Sequence, residues 1–475
     1  MTATDVTSSI GLRSERGPIL AAIMLSTSLV ALDSTIIATA VLTITDQLGG
    51  FAQFPWLFSI YLLAQAVTVP IYGKLADMVG RKPVMLFGIG AFAVGSLLCG
   101  LATSMPALIA FRAVQGIGAG AVSPISMTIA GDIYTVPERA KVQAYLASVW
   151  ATSSVLGPLL GGVFSEYISW RWIFLINLPL AALAAWMILR NFTESAPRQS
   201  HRIDYLGAGL LTVGAGALIL ALLEGGQAWA WNSPASLVLF AGGGVMLAAF
   251  GLVERQAANP ILPLWVFTRR IVVASSLASL LVGAILLGLT SYVPTFAQGV
   301  LGSGALIAGL TVGALTLGWP VSASQAGKVY LRIGFRATAL IGSLFAVVGA
   351  ASLLVVDARS SLWQLAIGCF IVGMGMGLVA SPTLIAAQAS AEWSERGVVT
   401  ATNMFARSLG SAVGVAVFGA LVNARLGNAG RPAASDLAPA VHLVFLGVAA
   451  MAVVLIGAAA VMPRRSAGDS EIHSA

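Results

Sequence analysis

Charge is what this sequence has least of. Asp, Glu, Lys and Arg make up 9% of 475 residues, against 58% hydrophobic residues. A soluble domain of that size needs far more polar side chains to cover its surface, so a water-solvated globule is excluded. Cysteine is nearly absent. Cys99 and Cys369 lie in apolar runs at neither metal-ligand nor redox spacing, which excludes a disulfide framework and leaves two inert core thiols as the expectation. Histidine is equally scarce, with His201, His442 and His473 scattered along the chain. With no metal-spaced cluster and no phosphate loop, neither a membrane-embedded enzyme nor a cofactor is expected. The polar–apolar alternation of a membrane barrel strand is missing as well. The first 17 residues lack the short apolar region and small-residue cleavage site of a signal peptide.

What the sequence does have is apolar runs of about 20 residues, each long enough to cross a hydrocarbon core of about 30 Å as a helix. Fourteen spans are expected, at 18–44, 54–75, 83–102, 106–130, 142–164, 171–190, 204–224, 235–253, 271–297, 304–326, 336–356, 363–386, 397–422 and 440–461. An even number puts both termini on one side. Placing them in the cytoplasm gives the inner segments 19 of the 25 Lys and Arg, the outer ones only Arg171, Arg359, Arg425 and Arg431, and leaves Arg112 and Arg407 inside spans. That is a strong positive-inside bias. The net charge of +7 is therefore a product of topology, and no nucleic-acid partner is expected.

The chain also repeats itself. Gly73-Lys74 with Gly80-Arg81-Lys82 is echoed by Gly327-Lys328 with Gly334 and Arg336, at an offset of 254. Gly116, Gly118, Gly120 and Ser123-Pro124 in span 4 are echoed by Gly373, Gly375, Gly377 and Ser381-Pro382 in span 12. These offsets fit two six-span bundles related by duplication, over 18–190 and 271–461. A linker at 191–270 carries two extra spans, and 1–17 and 462–475 form cytoplasmic tails.

These features resemble the fourteen-span drug:proton antiporters of the major facilitator superfamily over nearly the whole chain. The most specific piece is Gly73-Lys74-Leu75-Ala76-Asp77-Met78-Val79-Gly80-Arg81-Lys82, which resembles the superfamily's loop motif between spans 2 and 3. The resemblance implies that Asp77 and Arg81 form a charge cluster with Asp132 at the inner end of span 4, latching the halves in the outward-facing state. Arg112-Ala113-Val114-Gln115-Gly116 matches the family's intramembrane arginine motif, and Cys369 is the repeat counterpart of Arg112. Gly157-Pro158-Leu159-Leu160-Gly161-Gly162 matches its antiporter motif, with Ser153 where the pattern usually has an earlier glycine. There a proline kinks the helix and small residues admit a neighbour closely enough to exclude water. Trp170-Arg171-Trp172-Ile173-Phe174 and Leu32-Asp33-Ser34-Thr35-Ile36-Ile37 resemble markers of the fourteen-span branch. Leu42 stands where the family often has proline, which removes the usual reason for a helix break there. The implied fold is an all-α membrane protein, two six-helix bundles plus two extra helices.

The residues themselves single out a proton site. Of 18 acidic residues Asp33 alone falls deep in a span, with Asp132, Asp204 and Glu224 at span ends and the rest in loops, tails or helix ends. Intramembrane carboxylates are costly and mark ion or proton pathways. At about 1.5 Å per residue, Asp33 lies about 22 Å above the inner end of span 1 and Arg112 about 9 Å below the outer end of span 4. The two are at similar depth, so an Asp33–Arg112 interaction is geometrically possible. Gln65, Gln115, Tyr292, Phe296, Trp319, Asn403 and Phe405 are candidate lining of a substrate cavity, an apolar site with few polar groups suited to an amphipathic ligand. Arg407 is expected near the cytoplasmic end of span 13, snorkelling there. A single deep acid favours neutral and singly charged substrates over dications.

The expected function is a proton-coupled exporter of small amphipathic compounds in the cytoplasmic membrane of a bacterium, working as a monomer among membrane lipids by alternating access. An exporter of a lipid or self-made metabolite on the same fold is the alternative, and a channel or uniporter a third class.

Overall fold

The computed structural model describes residues 11–37, 40–49, 56–194, 204–226, 229–257, 260–426 and 434–463. Its helices are α1 (Gly17–Ile36), α2 (Val41–Leu48), α3 (Trp56–Val79), α4 (Arg81–Gly100), α5 (Met105–Ile133), α6 (Val136–Val163), α7 (Trp172–Leu175), α8 (Asn177–Asn191), α9 (Tyr205–Glu224), α10 (Pro234–Gln256), α11 (Arg270–Gly299), α12 (Ala305–Ile333), α13 (Phe335–Leu354), α14 (Leu362–Ala389), α15 (Arg396–Leu426) and α16 (Ala434–Val461). Fourteen segments are long and apolar enough to cross a membrane, α7 and α8 together making one of them. Pairing outside helices is confined, among the described residues, to a bridge between Gly225 and Trp229.

Local signals set the helix starts. Thr135 with Glu138 and Ser361 with Gln364 form capping boxes that satisfy orphan amides at the starts of α6 and α14. The hydroxyl of Ser104 accepts from the amide of Ala107 at the start of α5, and proline occupies the first turns of α1, α5, α6 and α10.

The first span differs from the uninterrupted 18–44 helix the sequence suggests. Helix α1 ends at Ile36, and a separate α2 begins at Val41. No proline is involved. The hydroxyl of Ser34 bonds back to the carbonyl of Ala31 at 2.9 Å, and such competition for backbone acceptors bends helices.

In the first bundle α5 packs on α3 and α4, and α1 packs on α6 and α8; in the second, α14 packs on α12 and α13, and α11 on α15 and α16. The duplication is visible in these contacts. A Cβ on Gly118 would overlap the backbone nitrogen of Phe92 and stand 2.7 Å from the carbonyl of Gly88; a Cβ on Gly375 would stand 2.6 Å from the nitrogen of Ala346 and 2.6 Å from the carbonyl of Gly342. The same backbone-to-backbone approach is thus made in both bundles, and only glycine permits it. The extra pair lies at the side of the molecule: α10 packs on α9, and α9 against α3 from one half and α15 from the other.

Candidate functional site

Two charged clusters stand out, one inside the first half and one between the halves. In the first, α1 presents Asp33 and α5 presents Arg112 and Gln115, one helical turn apart on the same face. Arg112 Nη1 lies 2.6 Å from Asp33 Oδ2, with both side chains about 1% exposed. The remaining groups tie the pair into a network. Gln115 Nε2 donates to Asp33 Oδ1 at 2.8 Å and Asn177 Nδ2 does so at 3.3 Å, while Gln115 Oε1 accepts from Arg112 Nη1 at 2.6 Å. Arg112 Nε donates to the carbonyl of Leu57 at 3.1 Å, and the guanidinium lies 4.1 Å from the centre of the Tyr61 ring. Ser96 Oγ accepts from both Gln115 and Asn177. A buried ion pair persists only when such additional bonds offset its desolvation. The Asn177 carbonyl oxygen and the Tyr61 hydroxyl remain buried without a partner.

The antiporter motif touches this cluster from behind. A Cβ on Gly157 would overlap Thr35 Oγ1 and stand 2.8 Å from Thr35 Cβ, two residues from Asp33. Thr35 Oγ1 in turn donates to the carbonyl of Ser153 at 2.9 Å, so the serine that replaces the earlier glycine still serves the α1–α6 contact. Gly161 is buried, whereas a Cβ on Gly162 would meet open space, so tight packing at Gly162 is corrected. Helix α6 runs through Pro158 without interruption; the surroundings of its ring lie outside the described residues.

The second cluster joins the halves. Asp77 Oδ1 accepts from the amide of Gly397 at 2.9 Å and Oδ2 from that of Val398 at 2.8 Å, placing a carboxylate at the amino end of α15, where the helix dipole favours it. Arg81 Nη2 lies 2.9 Å from Asp77 and Nε 2.9 Å from Asp132; Nη2 also donates to the carbonyl of Trp393 at 2.6 Å, with the indole ring 3.6 Å away. Arg396 reaches Asp132 from the second half at 3.2 Å. Gly73 permits the approach, since a Cβ there would overlap that of Ala401 and stand 2.7 Å from the carbonyl of Gly397. Further bonds cross nearby, from Tyr330 to the carbonyl of Val136 and from Gln388 to that of Met127. The halves are therefore closed at the end carrying the loop between spans 2 and 3.

Glu194 was not among the sequence candidates, yet it holds the loop in shape. Its Oε1 accepts from the amide of Arg81 at 2.6 Å, capping α4. Gly80 has φ +105°, and a Cβ there would overlap the Glu194 carboxylate, so the second glycine of the motif is required on both counts. Trp393, Arg396 and Gly397 were also missed.

The cavity candidates divide. Gln115 belongs to the Asp33 network, Phe296 is fully buried against His442 and Phe445, and Asn403 is buried between Ser275 and Ser279. In this conformation these three pack helix against helix with almost no exposed surface. Gln65, Tyr292, Trp319 and Phe405 keep part of their surface, Phe405 against the cluster that includes Ala66 and Val67. Arg407 does not snorkel. It stands eleven residues beyond Arg396, about 16 Å along α15, too far for its side chain to reach that end.

The family profile described as Major Facilitator Superfamily matches residues 23–415. The chain belongs to the major facilitator superfamily. It is 38% identical over 389 residues to multidrug resistance protein 3 of Bacillus subtilis (strain 168), covering 82% of this chain and 76% of that one. It is 35% identical over 418 residues to multidrug transporter protein MdtP of the same organism, covering 88% and 77%. Among solved structures, the human organic anion transporter MFSD10 superposes with a TM-score of 0.67 at 16% identity, covering 94% of this chain and 99% of that one, a likeness of fold alone. The protein is thus a multi-pass membrane transporter of the superfamily, with multidrug efflux relatives, and not an enzyme.

Proposed function

We propose that the protein is a proton-coupled exporter of small amphipathic compounds, working by alternating access. The observation that carries this reading is the Asp33–Arg112 pair, which joins α1 to α5 inside the first half and is bonded to two further helices, α3 and α8. Protonating Asp33 removes the countercharge of Arg112, and a buried cation left without its partner costs several kcal/mol. Protonation therefore favours whichever arrangement of α1 and α5 resolvates or re-pairs Arg112. Through Thr35 and Gly157 that rearrangement bears on α6, which packs against α12 of the other half. The latch of Asp77, Arg81, Asp132, Gly73 and Gly80 supplies the second element, a closure that forms and breaks between halves. The charge distribution of the loops supports a cytoplasmic placement for the latch and both termini, so the closed end faces the cytoplasm, the closure that an outward-facing state requires. The bacterial relatives support a cytoplasmic membrane, and the closure of the site within one chain supports a functional monomer embedded in lipid.

The test is a panel of hydrophobic dyes, drugs and lipids offered to inverted membrane vesicles with and without a pH gradient. Uphill uptake of dyes or drugs that collapses with the gradient is expected. Gradient-independent equilibration would contradict antiport, and activity on lipids alone would favour the lipid-exporter alternative.

A further inference from the structure

Arg407 is the other arginine within a span, and unlike Arg112 it has no ion-pair partner among the described residues. Helices α11 to α15 contain neither Asp nor Glu. Of the acids near the inner end of α15, Glu395 pairs with Arg269, and Asp77 is held by Arg81 and the amides of α15. Asp33 is taken by Arg112, Gln115 and Asn177. Arg407 Nε is buried without a hydrogen-bond partner, and no ion pair among the described residues includes its guanidinium. An intramembrane arginine is retained only where a partner or a polar cavity compensates its cost.

Its position tells where that partner must come from. Helix α15 packs against α3 and α12 against α6, so both border the face that the second half turns toward the first. The guanidinium of Arg407, on α15, lies 5.3 Å from the centre of the Trp319 ring, on α12. The side chain therefore reaches from α15 to α12, two helices that each border the first half, and both residues keep part of their surface. A planar guanidinium beside an indole offers a fork for a carboxylate or sulfonate and an aromatic wall for an apolar body.

We propose that Arg407 and Trp319 form an acid-binding subsite whose ligand is an amphipathic organic monoanion. This deepens the exporter reading and rests on it for the statement that the ligand is cargo. With Asp33 neutralised by Arg112, Arg407 is an intramembrane charge left without an ion pair among the described residues. Monoanions are preferred over monocations of the same shape, which refines the sequence-based expectation that only dications are disfavoured.

The test uses two probes of one shape, 1-pyrenebutyrate and 1-pyrenebutylamine, binding to the full chain in lipid nanodiscs. Energy transfer from tryptophan to pyrene is read against empty discs. The butyrate is expected to bind at least tenfold tighter than the amine. Arg407→Gln should erase that preference, and Arg407→Lys, which keeps the charge without the fork, should retain part of it. An equal or stronger amine signal in the wild type, or a preference that survives Arg407→Gln, overturns the proposal. If Arg407→Gln does not fold, the wild-type preference and Arg407→Lys decide. Replacing gluconate with chloride should leave butyrate binding within about twofold; full displacement by chloride would make this an inorganic-anion site and overturn the organic assignment. The same probes in proteoliposomes separate the two readings. Selective binding without gradient-driven movement would contradict proton-coupled export and leave the subsite standing, whereas coupled movement of both probes at equal affinity would overturn the subsite alone.

Discussion

Asp77 and Gly397 are 320 residues apart and on opposite halves, yet the carboxylate of the first accepts the amide of the second at 2.9 Å. The bond places a charge at the amino end of a helix of the other half, an interaction worth about 0.5–2 kcal/mol. Asp77→Asn keeps an acceptor and loses the charge, so closure at this end should weaken by about 3- to 10-fold in equilibrium constant. Spin labels on the loops following α3 and α12 should report a larger open fraction, with turnover slowed and affinity for substrate changed far less. An unchanged distance distribution would contradict a latch.

Gly73 should be the most size-sensitive residue of that interface. Gly73→Ala drives its methyl into Ala401, so transport should fall at least tenfold. Adding Ala401→Gly should recover only part of the loss, because the carbonyl of Gly397 still stands 2.7 Å away. Full activity of the single substitution in the vesicle assay would show that the halves do not approach this closely during turnover.

Glu194 and Gly80 form a testable pair. Glu194→Ala removes the cap on α4 and should shift closure by about 1 kcal/mol, roughly fivefold. Gly80→Ala should be worse, since it combines the φ of +105° with a collision against the carboxylate. In the double variant the collision is gone while the backbone strain and the lost cap remain, so its effect should be smaller than the sum of the two single substitutions. Spin-label distances at the latch check the order.

The halves and the Asp33–Arg112 pair were readable because each left a sparse signal in an apolar chain: a glycine pattern repeated at constant offset, a single deep acid, and an arginine at matching depth. Asp77, Arg81 and Asp132 were readable through their resemblance to a motif. Their partners across the interface were not, because Asp77 bonds to backbone amides, Arg81 reaches a backbone carbonyl at Trp393, and main-chain groups carry no mark in a sequence. Phe296, Asn403 and Gln115 were assigned to a cavity for a related reason. Helices apolar on every side give no periodicity from which to tell the face toward a neighbouring helix from the face toward a cavity. Arg407 was misplaced by the assumption that long cations reach for the nearest interface, when α15 extends about 16 Å beyond its start before reaching it.

Topology rests on the loop charges and has its own check. Single cysteines at positions 81 and 336, in a background lacking Cys99 and Cys369, should react with an impermeant maleimide only when the cytoplasmic face is exposed. The cysteine at 81 removes the ion pairs of Arg81 with Asp77 and Asp132, so that position should become reachable as the latch loosens. Reaction from outside at either position would reverse the orientation.

The most direct measurement is drug accumulation in inverted vesicles by Asp33→Asn, with the pH gradient imposed and then collapsed. Asparagine keeps the shape and the bond to Gln115 but cannot exchange a proton. Gradient-driven accumulation should vanish while downhill exchange of a neutral substrate persists, and Asp33→Glu should restore part of the accumulation with a displaced pH optimum. Full uphill accumulation by Asp33→Asn would contradict the assignment of Asp33 as the proton-coupling carboxylate.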